Sequence, residues 1–338
     1  MINKTRHKST IIILTIILCS VFFINISLGS VSISLKDIFL NIIGHKENYI
    51  IQYYRLPKAF TAVLAGSGLG ISGLLMQTLF RNPLAGPFVL GISSGASLGV
   101  AIVILGSSLA GGFLATLFIS KWSIVIAASL GSFIVLLAVM IVAAKLRDTM
   151  AILIIGLMFG SITAALVSVL SYFSSAEQIQ QYVFWGFGNL GNLTWHEVFI
   201  FFSIYSVGII LSMISMKNLN TLLLGENYAK SLGLNVKKSR LIIIIATCLL
   251  AGSVTAFAGP IAFIGLAIPH IARQIFNTSN HKILLPSVVI IGSIIMLICD
   301  SISQLPSSDY TLPINAITSL FGAPVVIWLL LRKRKMVF

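Results

Sequence analysis

Apolar stretches of about 20 residues, the length that crosses a bilayer as an α-helix, recur from one end of this chain to the other. They fall at 10–28, 59–79, 87–105, 122–144, 150–170, 196–216, 241–258, 260–272, 283–302 and 314–331. The sequence is therefore expected to form an all-α polytopic membrane protein with about ten transmembrane helices, the eighth short. Residues 1–338 make a single transmembrane domain, because no polar stretch is long enough to fold separately. Only 9% of the residues are charged, against roughly 25% in a soluble domain. The first apolar stretch follows a basic start, but it is long and lacks an A-x-A cleavage site, so it reads as a retained span.

A net charge of +14 raises the question of nucleic acid. With the N-terminus inside, the outer segments hold only Lys36, Lys46, Arg55, Lys58 and Lys121 of the 22 basic residues. The others, among them Lys145, Arg147 and the basic run at 332–335, fall inside, as does the C-terminus. The charge is an orientation signal, and no basic domain with interleaved aromatics exists to bind nucleic acid. Cys19, Cys248 and Cys299 lie in apolar spans with no paired spacing, so they predict neither a disulfide framework nor a zinc site.

Two polar segments exceed a turn. Residues 29–58, outside, carry a helix-like apolar stripe of Leu35, Ile38, Phe39, Ile42 and Ile43, expected as an amphipathic segment on the membrane surface. Residues 217–240 are the largest cytoplasmic element and the best surface for a soluble partner. There Asn220 can cap a helix start, Ala229, Leu232 and Leu234 form an apolar edge, and Gly233 can end the turn. The stretch 171–195 is too polar for lipid and suits an interface or a wet cavity.

Two motifs suggest chemistry. Gly68-Leu69-Gly70-Ile71-Ser72-Gly73 fits G-x-G-x-x-G, yet it lies inside an apolar span without the strand a dinucleotide site requires. Ala62, Gly66, Gly70 and Gly73 instead put small residues on one helix face for close packing. No P-loop occurs, so energy for active transport would come from another chain. Gly91-Ile92-Ser93-Ser94-Gly95 fits the G-x-S-x-G of a nucleophile elbow. Asn82-Pro83 and Gly86-Pro87 are turn formers ahead of it, however, so a hairpin is expected, with the helix restarting near Pro87 and Gly91 and Gly95 packing. An intramembrane serine hydrolase using Ser93 or Ser94 with His270 is one alternative. An ion-coupled carrier is another, although Asp300 is the only acid placed well within a span, where such carriers usually have several.

Four stretches together resemble one family: RLPKAFTAVLAGSGLGISGLLMQTLFRNPLAGPFVLGISSGASLG, GENYAKSLGLNV, AGPIAFIGLAIPHIAR and FGAPVVIWLLLRK. They are similar to the FecCD-type permease subunits of ABC importers for ferric siderophores, haem and cobalamin, in the family's order and spacing. The resemblance implies a transport subunit of the plasma (inner) membrane that is no enzyme and holds no cofactor or metal. It implies a second, identical or homologous permease subunit, cytoplasmic ATP-binding subunits, and an extracytoplasmic substrate-binding protein. Arg55 and Lys58 match the outer R-L-P-R motif that meets acids on the binding protein. Gly225, Glu226, Ala229, Leu232 and Gly233 match the segment that couples to the ATPase, and Asn82, Pro83, Gly91 and Gly95 belong to the signature turn. The chain departs from the pattern at Lys58, which lacks the bidentate geometry of Arg. It also departs at Gln304, where a further Arg is frequent, and at Thr311 and Asn315, where E-L-P-x-G has an acid and a glycine.

Overall fold

The computed structural model describes residues 2–29, 31–44, 47–106, 120–143, 149–305 and 310–331. Lys46, Lys145, Arg147 and the basic run 332–335 lie outside the described residues. Among those described, the chain forms fourteen α-helices and no strand. They are α1 (Ile2–Ser27), α2 (Leu35–Ile42), α3 (Leu56–Leu79), α4 (Ile92–Ile104), α5 (Lys121–Ala143), α6 (Thr149–Tyr172) and α7 (Ala176–Gly186). There follow α8 (Trp195–Ile214), α9 (Met216–Leu222), α10 (Glu226–Ser231), α11 (Val236–Ala258), α12 (Ile264–Phe276), α13 (His281–Ser303) and α14 (Ile314–Leu331).

Seven of these are long and apolar enough to cross a membrane: α1, α3 with its leading turn, α5, α6, α8, α11 and α13. The other three expected spans fall on shorter helices, so the expected count of ten is approximate. α4 and α14 are apolar but short. α12 has 13 residues, about 20 Å of helix against a core of roughly 30 Å, and contains Pro269. The expected eighth span, 260–272, is thus a half-helix shifted toward the C-terminus. It starts only after Phe263, which has a left-handed φ of 62°.

Non-helical backbone inside an apolar bundle needs protein partners, and Asn315 and Asn189 supply two of them to residues 258–263. Asn315 Oδ1 accepts from Ala262 N at 3.1 Å and its Nδ2 donates to Gly186 O at 3.3 Å. Its own backbone N donates to Phe187 O at 3.1 Å, and Asn189 N donates to Ala258 O at 2.8 Å. Asn315, where the family pattern has glycine, therefore stitches the end of α7, the broken segment and the start of α14 together.

The core is organised on α3, which is buried along nearly its whole length. Its expected glycine face is where other backbones meet it. A Cβ on Gly66 would overlap Gly292 O of α13, and one on Gly73 would overlap Gly265 O of α12. A Cβ on Gly70 would lie 3.1 Å from Val288 O. A second close contact joins α4 to α5, with Gly95 against Gly131 and Gly99 against Ala127. Without a hydrophobic drive between helices in lipid, such small-residue contacts supply the van der Waals packing. By contrast α1 and α6 expose long apolar faces, including Ile12, Ile16, Leu157 and Ile162.

Side-chain caps start several helices. Ser34 Oγ accepts from Asp37 N at α2, and capping boxes of Ser175 with Gln178 and Thr194 with Glu197 open α7 and α8. Asn235 and Asn280 cap α11 and α13. Asn220 does not start a helix as its residue type suggested; it lies inside α9, and its side chain is engaged by α13 instead. On α2 the stripe divides, Ile38 being buried while Leu35, Phe39 and Ile43 are exposed.

Candidate functional site

The turn that carries the elbow-like motif is a packing element. Asn82 Oδ1 accepts from Leu84 N at 2.9 Å, and Asn82 O accepts from Ala85 N at 3.1 Å. Pro87–Leu90 then form one 3₁₀ turn. Gly91 adopts a left-handed φ of 78°, and a Cβ there would meet Val135 Cγ1 at 2.8 Å. That kink moves the helix start from near Pro87 to Ile92. Ser93 and Ser94 sit in the first turn of α4 with no strand before them, so the strand–turn–helix geometry of an elbow is missing. His270 is committed elsewhere, its Nε2 lying 2.8 Å from Pro83 O.

A cavity of about 720 Å³ opens at the end of the bundle where α3 begins. It lies between the start of α5, residues 184–192, the end of α11, the end of α13 and residues 311–314. The polar stretch expected near a wet cavity supplies one wall, including Phe184, Trp185 and Asn189, and Thr311 lies on another. Lys58 and Lys121 also line it, and each meets an acid. Lys58 Nζ is 3.2 Å from Asp300 Oδ1, and Lys121 Nζ is 2.8 Å from Glu197 Oε2.

Asp300 is only 1% exposed. Its Oδ2 accepts from Asn25 Nδ2 at 2.9 Å and from Gln304 Nε2 at 2.8 Å. Gln304 thus serves the buried carboxylate as a neutral donor, leaving Lys58 as its charged partner. Both lysines being paired, the lining presents amides and aromatic rings with little net charge.

Arg55 is placed differently, three residues before Lys58. Its Nη1 donates to Ile26 O at 2.7 Å and to Leu28 O, and its Nη2 donates to Val31 O. The guanidinium caps carbonyls at the C-terminal end of α1, where a cation also meets the negative end of the helix dipole. Gly29 makes room, since a Cβ there would lie 2.6 Å from Arg55 Nη2. Carbonyl partners leave the unit charge in place, whereas the charge on Lys58 is offset by Asp300.

Near the other end of α3, Gly225 and Gly233 have φ of 106° and 84° and bracket α10. Glu226 pairs with Arg240 of α11, and Ala229 is fully buried. Leu234 N donates to Ala229 O and Gly233 N to Lys230 O, a glycine-closed helix end. Leu224, Tyr228 and Leu232 are 61%, 55% and 60% exposed. Tyr228 and Leu232 lie about one turn apart, while Gly225, outside the helical region of φ and ψ, separates Leu224 from them. Leu232 is among the residues the sequence singles out; Leu224 and Tyr228 are not, and only their exposure in the structure brings them out. Arg81, at that end of α3, comes close to Gly225.

Seven helices apolar and long enough to span a bilayer, a broken segment ahead of α12 and a cavity at one end of the bundle define a polytopic α-helical membrane protein. The chain belongs to the FecCD transport family, which it matches over residues 14–332. It is 36% identical over 282 residues to the vitamin B12 import system permease protein BtuC of Citrobacter koseri, covering 83% of this chain and 82% of that one. The BtuC of Klebsiella pneumoniae is 36% identical over 290 residues, 86% of this chain and 84% of that one.

Among solved structures, an inward-facing conformation of a metal-chelate type ABC transporter matches with a TM-score of 0.82 and 29% identity, over 96% of this chain and 99% of the other. PsaBC from Streptococcus pneumoniae shares the fold, at TM-score 0.53 and 16% identity, over 86% of this chain and 94% of the other. The protein is thus a multi-pass importer permease of the plasma (inner) membrane and not an enzyme; ATP hydrolysis belongs to a separate subunit.

Proposed function

We propose that this permease carries a large chelate, a ferric siderophore, haem or a corrinoid, by alternating access. The observation that carries this reading is the 36% identity, over 282 residues, with a permease named for import of vitamin B12, a cobalt chelate. The paired lysines support it, because a cavity without net charge suits a bulky chelate better than a bare metal ion, which needs charged or soft ligands. The test is uptake into vesicles bearing the whole importer, comparing labelled vitamin B12, a ferric hydroxamate and free Fe³⁺. ATP-dependent accumulation of one chelate and not the free ion is expected; accumulation that follows an ion gradient without ATP would overturn the reading.

Two permease subunits surround the pathway in this proposal, with ATPases inside and a substrate-binding protein outside. Docking of the binding protein falls to Arg55, with Lys58 beside it. Arg55 keeps its charge and so attracts acidic groups at long range, while Lys58 contributes less because Asp300 offsets it. Arg55→Gln should lower the association rate of the binding protein severalfold at low salt, with the difference fading as screening rises. Equal rates at low salt would remove Arg55 from the docking surface.

Coupling to the ATPase falls to α10 and its flanks, Gly225, Glu226, Ala229, Leu232 and Gly233, joined by Leu224 and Tyr228. Exposed apolar side chains on the cytoplasmic face suit a desolvated protein contact. Leu224→Asp with Tyr228→Asp should abolish copurification of the ATPase while membrane levels hold. Normal copurification would show that the ATPase sits elsewhere.

A further inference from the structure

A polar contact joins the coupling segment to the transmembrane core, in addition to the burial of Leu219 and Leu222 of α9 and the Glu226–Arg240 pair. Asn220, on α9, reaches the first turn of α13. Its Oδ1 accepts from His281 N at 3.0 Å, and its Nδ2 donates to Asn280 Oδ1 at 3.2 Å. The same Oδ1 lies 2.7 Å from His281 Nδ1, so that ring nitrogen carries the hydrogen, an assignment made from the network. The other nitrogen, Nε2, is then an acceptor for the Thr78 hydroxyl of α3, at 2.9 Å. A neutral imidazole fits this arrangement, the single Thr78 hydroxyl hydrogen being shared between His281 Nε2 and Leu74 O at 2.9 Å, and His281 is 1% exposed. Leu219 and Leu222 of α9 are buried beside this contact.

The two helices joined by that ring are locked at three levels. Thr78 and His281 join them at one end, Gly66 and Gly292 touch backbone to backbone in the middle, and Lys58 meets Asp300 at the other end. α3 has 24 residues, about 36 Å of helix. Close-packed helices move as bodies and do not bend continuously. A displacement applied at Thr78 therefore reaches Lys58, in the wall of the cavity, along α3, which has no proline in its interior, whereas α13 carries Pro286 between His281 and Gly292.

We propose that Asn220 is the joint through which the coupling segment moves the α3–α13 pair, making Asn220, His281 and Thr78 positioning residues for transport. The proposal rests on the importer function above. Its distinct content is that force enters the core at this contact, separate from the exposed apolar side chains that meet the ATPase.

The test uses the complete importer in vesicles, with cognate ATPase and binding protein and whichever labelled chelate the wild type accumulates. Failure of the wild type to take up either chelate would count against the function. Given wild-type uptake, Asn220→Ala should lower uptake and binding-protein-stimulated ATP hydrolysis about fivefold or more, the range of ordinary coupling free energies, with basal hydrolysis within about twofold. ATPase copurification should be unchanged. Thr78→Val should reproduce the loss, and Thr78→Ser, which keeps the hydroxyl, should restore coupling. Uptake and stimulation near wild-type levels in Asn220→Ala would overturn the proposal. So would loss of ATPase copurification, which would make Asn220 a support for the segment's fold.

Discussion

Gly73→Val should leave almost no monodisperse protein in detergent extracts, while Gly252→Ala should behave as the wild type. Gly73 lies where α3 crosses α12, and the first side-chain carbon would overlap the carbonyl oxygen of Gly265. A backbone oxygen cannot rotate aside as a side-chain tip can. Overpacking of a close-packed interior costs about 1–3 kcal/mol and sometimes more. Here the added atoms push against the backbone of Gly265, so the upper part of that range and beyond is expected. Gly252, on α11, has open space where its Cβ would be, and it controls for the general effect of replacing a helical glycine. Fluorescence-detected size exclusion measures both. A Gly73→Val protein as abundant and stable as Gly252→Ala would show that α3 and α12 do not pack as described.

Lys58→Met should destabilise the protein by about 3–5 kcal/mol, the usual cost of leaving a buried charge without its partner. Asp300 keeps Asn25 and Gln304 as hydrogen-bond donors, but neither neutralises it. Replacing both members, Lys58→Met with Asp300→Asn, should recover most of the loss, since a buried pair is often worth little against a neutral replacement. Thermal unfolding of the two single variants and the double variant gives the coupling directly. Additive effects would mean that the two side chains act independently. The double variant also separates roles at the cavity end of the bundle, because restored stability with impaired binding-protein association would assign Lys58 a part in docking beyond its part in the fold.

Much of this architecture was legible in the sequence. Span lengths follow from bilayer thickness, so the order of the helices could be read from apolar runs. The small-residue face of α3 could be read from spacing, because a helix repeats every 3.6 residues and Gly66, Gly70 and Gly73 fall on one side. What could not be read depends on distant partners. Nothing local to Lys58 names Asp300 as its counter-ion, and nothing local to Asn315 says that its amide will hold a broken segment. Asn220 was misread for the same reason: its residue type favours helix starts, but a tertiary contact with His281 used the side chain instead. The half-helix α12 was visible only as a shortened apolar run, because Phe263 takes a left-handed conformation that its residue type does not advertise.

The contact between Gly66 and Gly292 bears on how such a permease can diverge. Most packed positions can drift, since a larger residue on one helix is accommodated by a smaller one opposite. Here both positions already hold the smallest residue, so no compensating exchange exists and this level of the α3–α13 pair is closed to gradual change. Adaptation to a new cargo would have to come from the loops and rims around the cavity, where side chains face open space and substitutions are tolerated singly.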